Sequence, residues 1–178
     1  MADQETNLYE YDGMVMSSIF PASSLNRMKQ TAFHDEDIIV STFPKCGTTW
    51  VLEIVSNIVN EAEKQEKKNL VERYLFIETH YPGKESHLDR WASSPDPHLI
   101  KSHMGPDYFQ KTLAERKTKF VIVFRNPKDM LTSYFHFYKM NKIFNFNGTW
   151  DDYFTMFKEN KLVHGDYFKV QLGWWKLR

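Results

Sequence analysis

The stretch DIIVSTFPKCGTTWVLEIVSNIV, residues 37–59, decides the fold. Its apolar opening, residues 37–40, predicts a buried parallel strand, and the apolar residues of 51–59 surround most of a helix. Residues 41–50 must therefore form a turn from a strand into a helix. This order predicts an α/β fold with a parallel central sheet.

The turn itself has the features of a phosphate-binding loop. Gly47 lets the backbone approach a ligand closely. The free N–H groups of Gly47, Thr48 and Thr49 stand at the positive end of the helix, where an anion is stabilised. Lys45 adds a point charge. The alternative interpretation is a well-capped helix start that binds nothing.

The order of residues in this turn argues against a P-loop kinase or NTPase. A Walker A loop has a Lys after its second Gly and a neighbouring hydroxyl for magnesium. Here Lys45 precedes Gly47, and no earlier Gly opens the loop. The turn is therefore P-loop-like in position but not in sequence.

A second apolar strand, residues 119–124, ends in Arg125, and Pro127 suits the first turn of the helix that follows. Arg125 leaves the strand at its carboxyl end, where ligands bind in open α/β sheets. Ser133 follows about two turns later. The two side chains could hold a second phosphate, or they could be a strand-end charge and an ordinary helix serine.

The candidate chemistry lies between these two motifs, in HLIKSH at residues 98–103. This segment is typical of a short strand that ends in polar residues. His103 suits general base catalysis because the ordinary pKa of histidine lies near neutrality. Taken alone, however, His103 is as well explained as a polar surface residue.

Together, three motifs resemble those of the cytosolic sulfotransferases. Residues 42–50 fit the pattern T-[YF]-P-K-[SC]-G-T-T-W at every position. Residues 99–104 fit L-[IL]-K-[ST]-H-[LM], and residues 125–137 fit R-N-x-K-D-x-x-x-S-[YF]-x-[HF]-[FY]. The resemblance implies a three-layer α/β domain with a P-loop-like phosphate-binding turn.

The resemblance also implies an activity and roles for individual residues. The expected reaction transfers a sulfuryl group from 3′-phosphoadenosine 5′-phosphosulfate (PAPS) to a hydroxyl or amine of a small apolar acceptor, without a metal. The catalytic residues would be His103 as the base, with Lys45 and Lys101. The donor would be bound by Lys45, Cys46, Gly47, Thr48, Thr49, Trp50, Arg125 and Ser133, with Arg125 and Ser133 on its 3′-phosphate. The acceptor would lie against Phe76 and Phe137.

The end of the chain resembles only part of the family pattern. Residues 165–175 fit G-x-[WY]-[YF]-x-x-V-x-x-W-W, with Gln171 in place of Val. By this resemblance the chain matches about the amino-terminal three-fifths of a family member, and the carboxyl-terminal part of the fold, with its nucleotide-closing segment and homodimer motif, is missing. We therefore expect a flexible tail over residues 1–18 and an incomplete sulfotransferase domain over 19–178.

Two interpretations of the chain's activity follow and stay open. As a fragment or short isoform, it is expected to be marginally stable and to have little activity alone. It could instead be a truncated, non-catalytic nucleotide-binding relative, or a partner of a full-length sulfotransferase. A product assay beside nucleotide-binding calorimetry separates these possibilities.

Composition limits the other classes. Lys plus Arg and Asp plus Glu number 23 each, so no net charge favours nucleic acid or an anionic membrane. The single Cys excludes an intramolecular disulfide framework. The amino terminus lacks the apolar segment of a signal peptide, and no run approaches membrane-spanning length. A cytoplasmic protein is expected, and the histidines show no metal-binding spacing.

Overall fold

The computed structural model of the chain describes residues 7–63 and 69–178. The strands are β1 (Leu8–Tyr11), β2 (Met14–Ser17), β3 (Ile38–Thr42), β4 (Leu75–Phe76), β5 (Leu99–Ser102) and β6 (Lys119–Val123). The α-helices are α1 (Ala22–Gln30), α2 (Thr48–Glu63), α3 (His87–Ser93), α4 (Gln110–Glu115), α5 (Pro127–Met140), α6 (Trp150–Lys158) and α7 (Tyr167–Trp175). Short 3-10 helices span Leu70–Glu72 and Pro106–Tyr108.

The central sheet is parallel, with the strand order β4-β5-β3-β6. In the register, Ile38 pairs with Leu99 on one side and with Lys119 on the other. The carboxyl ends of β3, β5 and β6 therefore lie at one edge of the sheet. This arrangement confirms the predicted α/β fold and places the three sequence motifs beside one another.

Both faces of the sheet are covered, because successive residues of a strand point to opposite sides. Ile39 of β3 packs into the larger hydrophobic cluster, together with residues of α1 and α5. Its neighbour Val40 packs into a smaller cluster with Leu52 of α2 and Leu99 of β5. The layers on the two faces give the predicted three-layer arrangement.

The amino-terminal segment differs from the expected flexible tail over residues 1–18. Residues 8–17 form the antiparallel hairpin of β1 and β2, and Met16 is fully buried. The reason is local: Asp12 and Gly13 adopt positive φ angles of 54° and 72°, which join two strands in a tight hairpin turn. Residues 1–6 of the expected tail lie outside the described residues.

No helix in the described part of the chain combines the length and the apolarity needed to cross a bilayer.

Candidate functional site

The loop between β3 and α2 is shaped by two residues with positive φ angles, Lys45 at 65° and Gly47 at 97°. A Cβ added at Gly47 would meet nothing within 4 Å, so the backbone conformation and not lack of space favours glycine there. The hydroxyls of Thr42 and Thr48 are 2.5 Å apart and tie the end of β3 to the start of α2. The unpaired N–H groups of the first helical turn thus begin next to the sheet edge.

An open cleft of about 390 Å³ lies at this edge. It brings together every predicted site residue except Cys46 and Phe76. Its lining consists of Pro44, Lys45, Gly47, Thr48, Thr49, Trp50, Lys101, His103, Arg125, Ser133 and Phe137. The topology of the sheet thus brings these predicted residues together from four separate segments of the chain.

Cys46 points away from the cleft. Its side chain is 3% exposed within the core, and burial raises the pKa of its thiol to about 12. Its backbone N–H donates to the Phe43 carbonyl at 3.2 Å. The thiol and the backbone N–H of Cys46 are both directed away from the cleft, although the sequence predicts a donor-binding residue at this position.

Phe76 is absent from the cleft lining but contacts two residues that line it. Its ring centroid is 3.6 Å from Lys101 Nζ and 5.1 Å from the centroid of the His103 ring. Contact with the ring face favours the charged form of the lysine. Phe76 therefore supports two predicted catalytic side chains from a position outside the cleft lining.

Arg125 connects the two predicted phosphate motifs. Its Nη1 donates to the Lys45 carbonyl at 2.6 Å, and its own carbonyl accepts a hydrogen bond from the Tyr167 hydroxyl. Lys45 Nζ lies 4.6 Å from the Phe137 ring centroid. Burial, and then the charge of Arg125, lowers the pKa of Lys45. Two cations held close together in this way favour an anion between them.

His103 is oriented by a hydrogen bond that fixes its tautomer. Its Nδ1 is 2.7 Å from the Thr42 carbonyl, and a carbonyl can only accept, so Nδ1 carries the proton. Burial, followed by the charge of Lys101, lowers the pKa of His103 well below its usual value. The ring is therefore neutral near pH 7 and has a free lone pair on Nε2.

Sequence reasoning missed Glu78, a fully buried carboxyl group beside the site. Its Oε1 accepts the backbone N–H of His103 at 2.7 Å. Burial raises the pKa of Glu78, and burial lowers the pKa of Lys101 while the Glu78 charge opposes that shift. Glu78 follows the short β4 and belongs to none of the motifs, so no pattern in the sequence indicated it.

Sequence reasoning also missed His164, which lines a second cavity of about 510 Å³. His103 lines both cavities and separates them. The His164 ring is 4% exposed, its centroid is 5.2 Å from that of His103, and neither of its nitrogens has a hydrogen-bond partner among the described residues. Burial lowers the pKa of His164 to about 3.

We expect His164 to make the fold sensitive to acid. Its pKa is about 3 in the folded chain and near 6.5 when unfolded, so the stability it contributes above pH 6.5 is lost as the pH falls toward 3. Between about pH 7.5 and 5.5 this loss amounts to about 1.4 kcal/mol for one histidine. Urea unfolding of the chain and of His164→Gln at both pH values measures it. An equal loss of stability in both proteins would contradict this assignment.

Comparison with known proteins agrees with the motifs. A family model of the sulfotransferase domain matches residues 35–178. Human sulfotransferase 1C2 is 32% identical over 179 residues, an alignment that covers 98% of this chain and 60% of the human protein. Bovine sulfotransferase 1A1 is 34% identical over 158 residues, covering 88% of this chain and 54% of its own. The chain spans about 60% of the human relative's length.

Solved structures share the fold. The mouse sulfotransferase SULT7A1 complexed with PAP superposes with a TM-score of 0.78 at 23% identity, covering 96% of this chain and 58% of that one. A retinol dehydratase in complex with androsterone and the inactive cofactor PAP gives a TM-score of 0.81 at 17% identity, covering 97% and 61%. At identities of 23% and 17%, these superpositions show a shared fold and nothing about function.

Proposed function

The chain belongs to the sulfotransferase family, and from this membership we propose that it carries the donor site and the general base for sulfuryl transfer. The donor is 3′-phosphoadenosine 5′-phosphosulfate, and the acceptor is a small apolar molecule with a hydroxyl or an amine. The proposal rests on one observation. The cleft lining contains three cationic side chains, no carboxylate, and a neutral histidine, His103, whose Nε2 is free.

The donor's two anionic ends fit two parts of the cleft. The 5′-phosphosulfate binds at the first turn of α2, where N–H groups, the helix dipole and Lys45 attract negative charge. The 3′-phosphate binds to Arg125 and Ser133, which also line the cleft. Trp50, which is 76% exposed, offers its ring face to the adenine. The three contacts orient the nucleotide from end to end.

The chain's residues then supply the proton transfer and the charge stabilisation. Nε2 of His103 accepts the proton of the acceptor hydroxyl while that oxygen attacks sulfur. The bond from sulfur to the bridging phosphate oxygen breaks, leaving a sulfate ester and adenosine 3′,5′-bisphosphate. Lys45 and Lys101 stabilise the negative charge that grows on the bridging oxygen. The buried Glu78 holds the backbone of His103 in place throughout.

The acceptor approaches His103 beside Phe137, whose ring lines the cleft. The Phe76 ring packs against the His103 ring beside this apolar side. A related fold, the retinol dehydratase above, was solved with androsterone, which supports an apolar alcohol as the acceptor class. The expected substrates are phenols and apolar alcohols.

The test combines product formation with nucleotide binding. The purified chain is incubated with the sulfuryl donor and a panel of phenols and apolar alcohols, and sulfated product is detected by mass spectrometry. Calorimetry with adenosine 3′,5′-bisphosphate is run on the same sample. Binding with product supports the enzyme, binding without product supports the alternative of a non-catalytic nucleotide-binding relative, and a folded chain that binds no nucleotide contradicts both.

Arg125→Ala is expected to weaken adenosine 3′,5′-bisphosphate about 10- to 100-fold, because a charged hydrogen-bond partner of the 3′-phosphate is lost. Binding of adenosine 5′-monophosphate, which lacks that phosphate, should change much less. Calorimetry of both nucleotides measures the difference. The matched control is Lys142→Ala, which removes one positive charge at an exposed position outside the cleft lining. Equal weakening of both nucleotides by Arg125→Ala would mean that Arg125 only supports the loop through Lys45.

A further inference from the structure

A cluster of two histidines and two aspartates lies at the other edge of the sheet. Asp37 precedes β3 and His98 precedes β5, so both stand at the amino ends of central strands. His34 and Asp96 come from the loops just before them. One ligand atom from each of the four side chains lies within 4.8 Å of the others. The proposed sulfuryl transfer uses none of these residues.

The contacts converge on one small space. His98 Nδ1 is 2.8 Å from Asp37 Oδ1 and 3.2 Å from Asp96 Oδ1. His34 Nδ1 is 2.6 Å from the same Asp96 oxygen. Two imidazole nitrogens and two carboxylate oxygens therefore face one another across distances of about a hydrogen bond.

The tautomer of His98 makes this arrangement electron-rich. The Ser94 hydroxyl donates its only hydrogen to the Arg90 carbonyl at 2.5 Å, and the same oxygen is 3.0 Å from His98 Nε2. When the Ser94 oxygen accepts from Nε2, Nδ1 of a neutral His98 directs a lone pair at the oxygens of Asp37 and Asp96. In that tautomer the lone pair and the two carboxylate oxygens offer three ligand atoms to a cation.

We infer that the cluster binds a zinc ion through His34, Asp37, Asp96 and His98. Two nitrogens and two carboxylate oxygens are a zinc ligand set, with bonds of about 2.0–2.2 Å. Ligand atoms of a tetrahedral site with such bonds stand about 3.3 Å apart. The three contacting pairs are 2.6–3.2 Å apart and all four ligand atoms lie within 4.8 Å of one another, so small side-chain adjustments would bring them to this spacing.

The surrounding contacts resemble those that orient the ligands of a metal site. Asp37 is fully buried, and its other carboxylate oxygen accepts the Trp91 indole N–H at 2.8 Å and the His34 backbone N–H at 3.0 Å. The second ring nitrogen of His98, Nε2, lies 3.0 Å from the Ser94 hydroxyl, the kind of outer contact that commonly orients a zinc-bound histidine. The side chains of His34 and Asp96 are 39% and 36% exposed, which leaves the ion a path from solvent.

The site's place in the fold indicates a structural role. The five residues of β3 separate it from the phosphate cleft by about 16 Å at 3.3 Å per residue. Zinc there would clamp the loop before β3 to the loop before β5. The expectation that the chain has no metal set rested on sequence spacing, and spacing does not reveal ligands that come from two distant loops.

The experiment uses the tag-free 178-residue chain freed of metal with a chelator. Competition with a chromophoric chelator is expected to give one zinc ion per chain at micromolar affinity or tighter, and cobalt(II) at the same site should give the intense visible bands of tetrahedral coordination. Magnesium and calcium should not compete. Zinc at a hundredfold excess over its Kd should raise Tm by roughly 5 °C.

The variants decide where the ion binds. His34→Ala with Asp96→Asn removes the two exposed ligands and should weaken zinc at least about a hundredfold, while circular dichroism confirms the fold. The matched control, His136→Ala with Asp151→Asn, changes an exposed histidine and aspartate elsewhere. If the double variant does not fold, His34→Ala alone serves. Unchanged zinc affinity would place the ion elsewhere, and no stoichiometric binding by the folded parent would mean that the four side chains contact one another without an ion. Either result overturns the inference.

Discussion

In a full-length context, His103→Ala is expected to lower the turnover of sulfuryl transfer by about two to four powers of ten, while the Kd of adenosine 3′,5′-bisphosphate changes little. The reason is the geometry of one nitrogen. Because Nδ1 donates to the Thr42 carbonyl and burial keeps the ring neutral, Nε2 is free to accept the proton of the attacking hydroxyl. Alanine removes this acceptor but leaves the cationic side chains that we propose hold the nucleotide.

The substitution also preserves the backbone hydrogen bond of residue 103. The His103 N–H that donates to Glu78 is present in alanine as well, so the buried carboxyl group keeps its partner. His136→Ala, on the exposed face of α5, controls for the loss of an imidazole. Turnover and nucleotide Kd are measured side by side on the three proteins. If His103→Ala keeps more than half of the parent's turnover, His103 is not the base.

The sequence predicted well which residues line the cleft, because the determinants of the strand-to-helix turn are local. Gly47, the residues before it and the apolar strand of 38–42 define a strand-to-helix turn wherever they occur. Parallel strands then bring their carboxyl ends together regardless of how far apart they lie in sequence. Arg125 and His103 are thus near Gly47 for topological reasons that strand patterns can reveal.

The sequence could not predict residues whose role depends on tertiary contacts alone. Glu78 and His164 follow no spacing rule. Glu78 lies beside His103 because β4, which it follows, pairs with β5, and His164 reaches the His103 ring from a segment far along the chain. Cys46 illustrates the opposite case. It occupies a motif position between Lys45 and Gly47, yet the positive φ of its two neighbours turns its side chain into the core.

The amino-terminal hairpin was missed for a simpler reason. Residues 1–18 were expected to form a tail, while the decisive signal was the Asp12-Gly13 pair between two short runs rich in apolar residues. The hairpin does more than cover the core. Its turn, with Met14, lines the second cavity that reaches His103, so residues outside every motif help to shape the surroundings of the proposed base.

In the same full-length context, Lys45→Met is expected to lower turnover by about two to three powers of ten, since removal of one oriented charge-stabilising group typically costs that much. Lys45 Nζ lies over the Phe137 ring at 4.6 Å, and the carbonyl of Lys45 is held by Arg125 at 2.6 Å. The ammonium is therefore positioned before the donor binds. Methionine keeps the length of the side chain and meets the same backbone strain at φ 65°, so the main change is the lost charge.

The measurement distinguishes charge stabilisation in the transition state from simple binding. If Lys45 acts on the bridging oxygen as the bond to sulfur breaks, kcat falls far more than the affinity for adenosine 3′,5′-bisphosphate, which has no sulfuryl group. Lys111→Met, on the exposed side of α4, removes the same net charge away from the cleft and should change neither quantity. A fall in nucleotide affinity as large as the fall in kcat would make Lys45 a binding residue, and Lys101 would remain as the cation beside the departing oxygen.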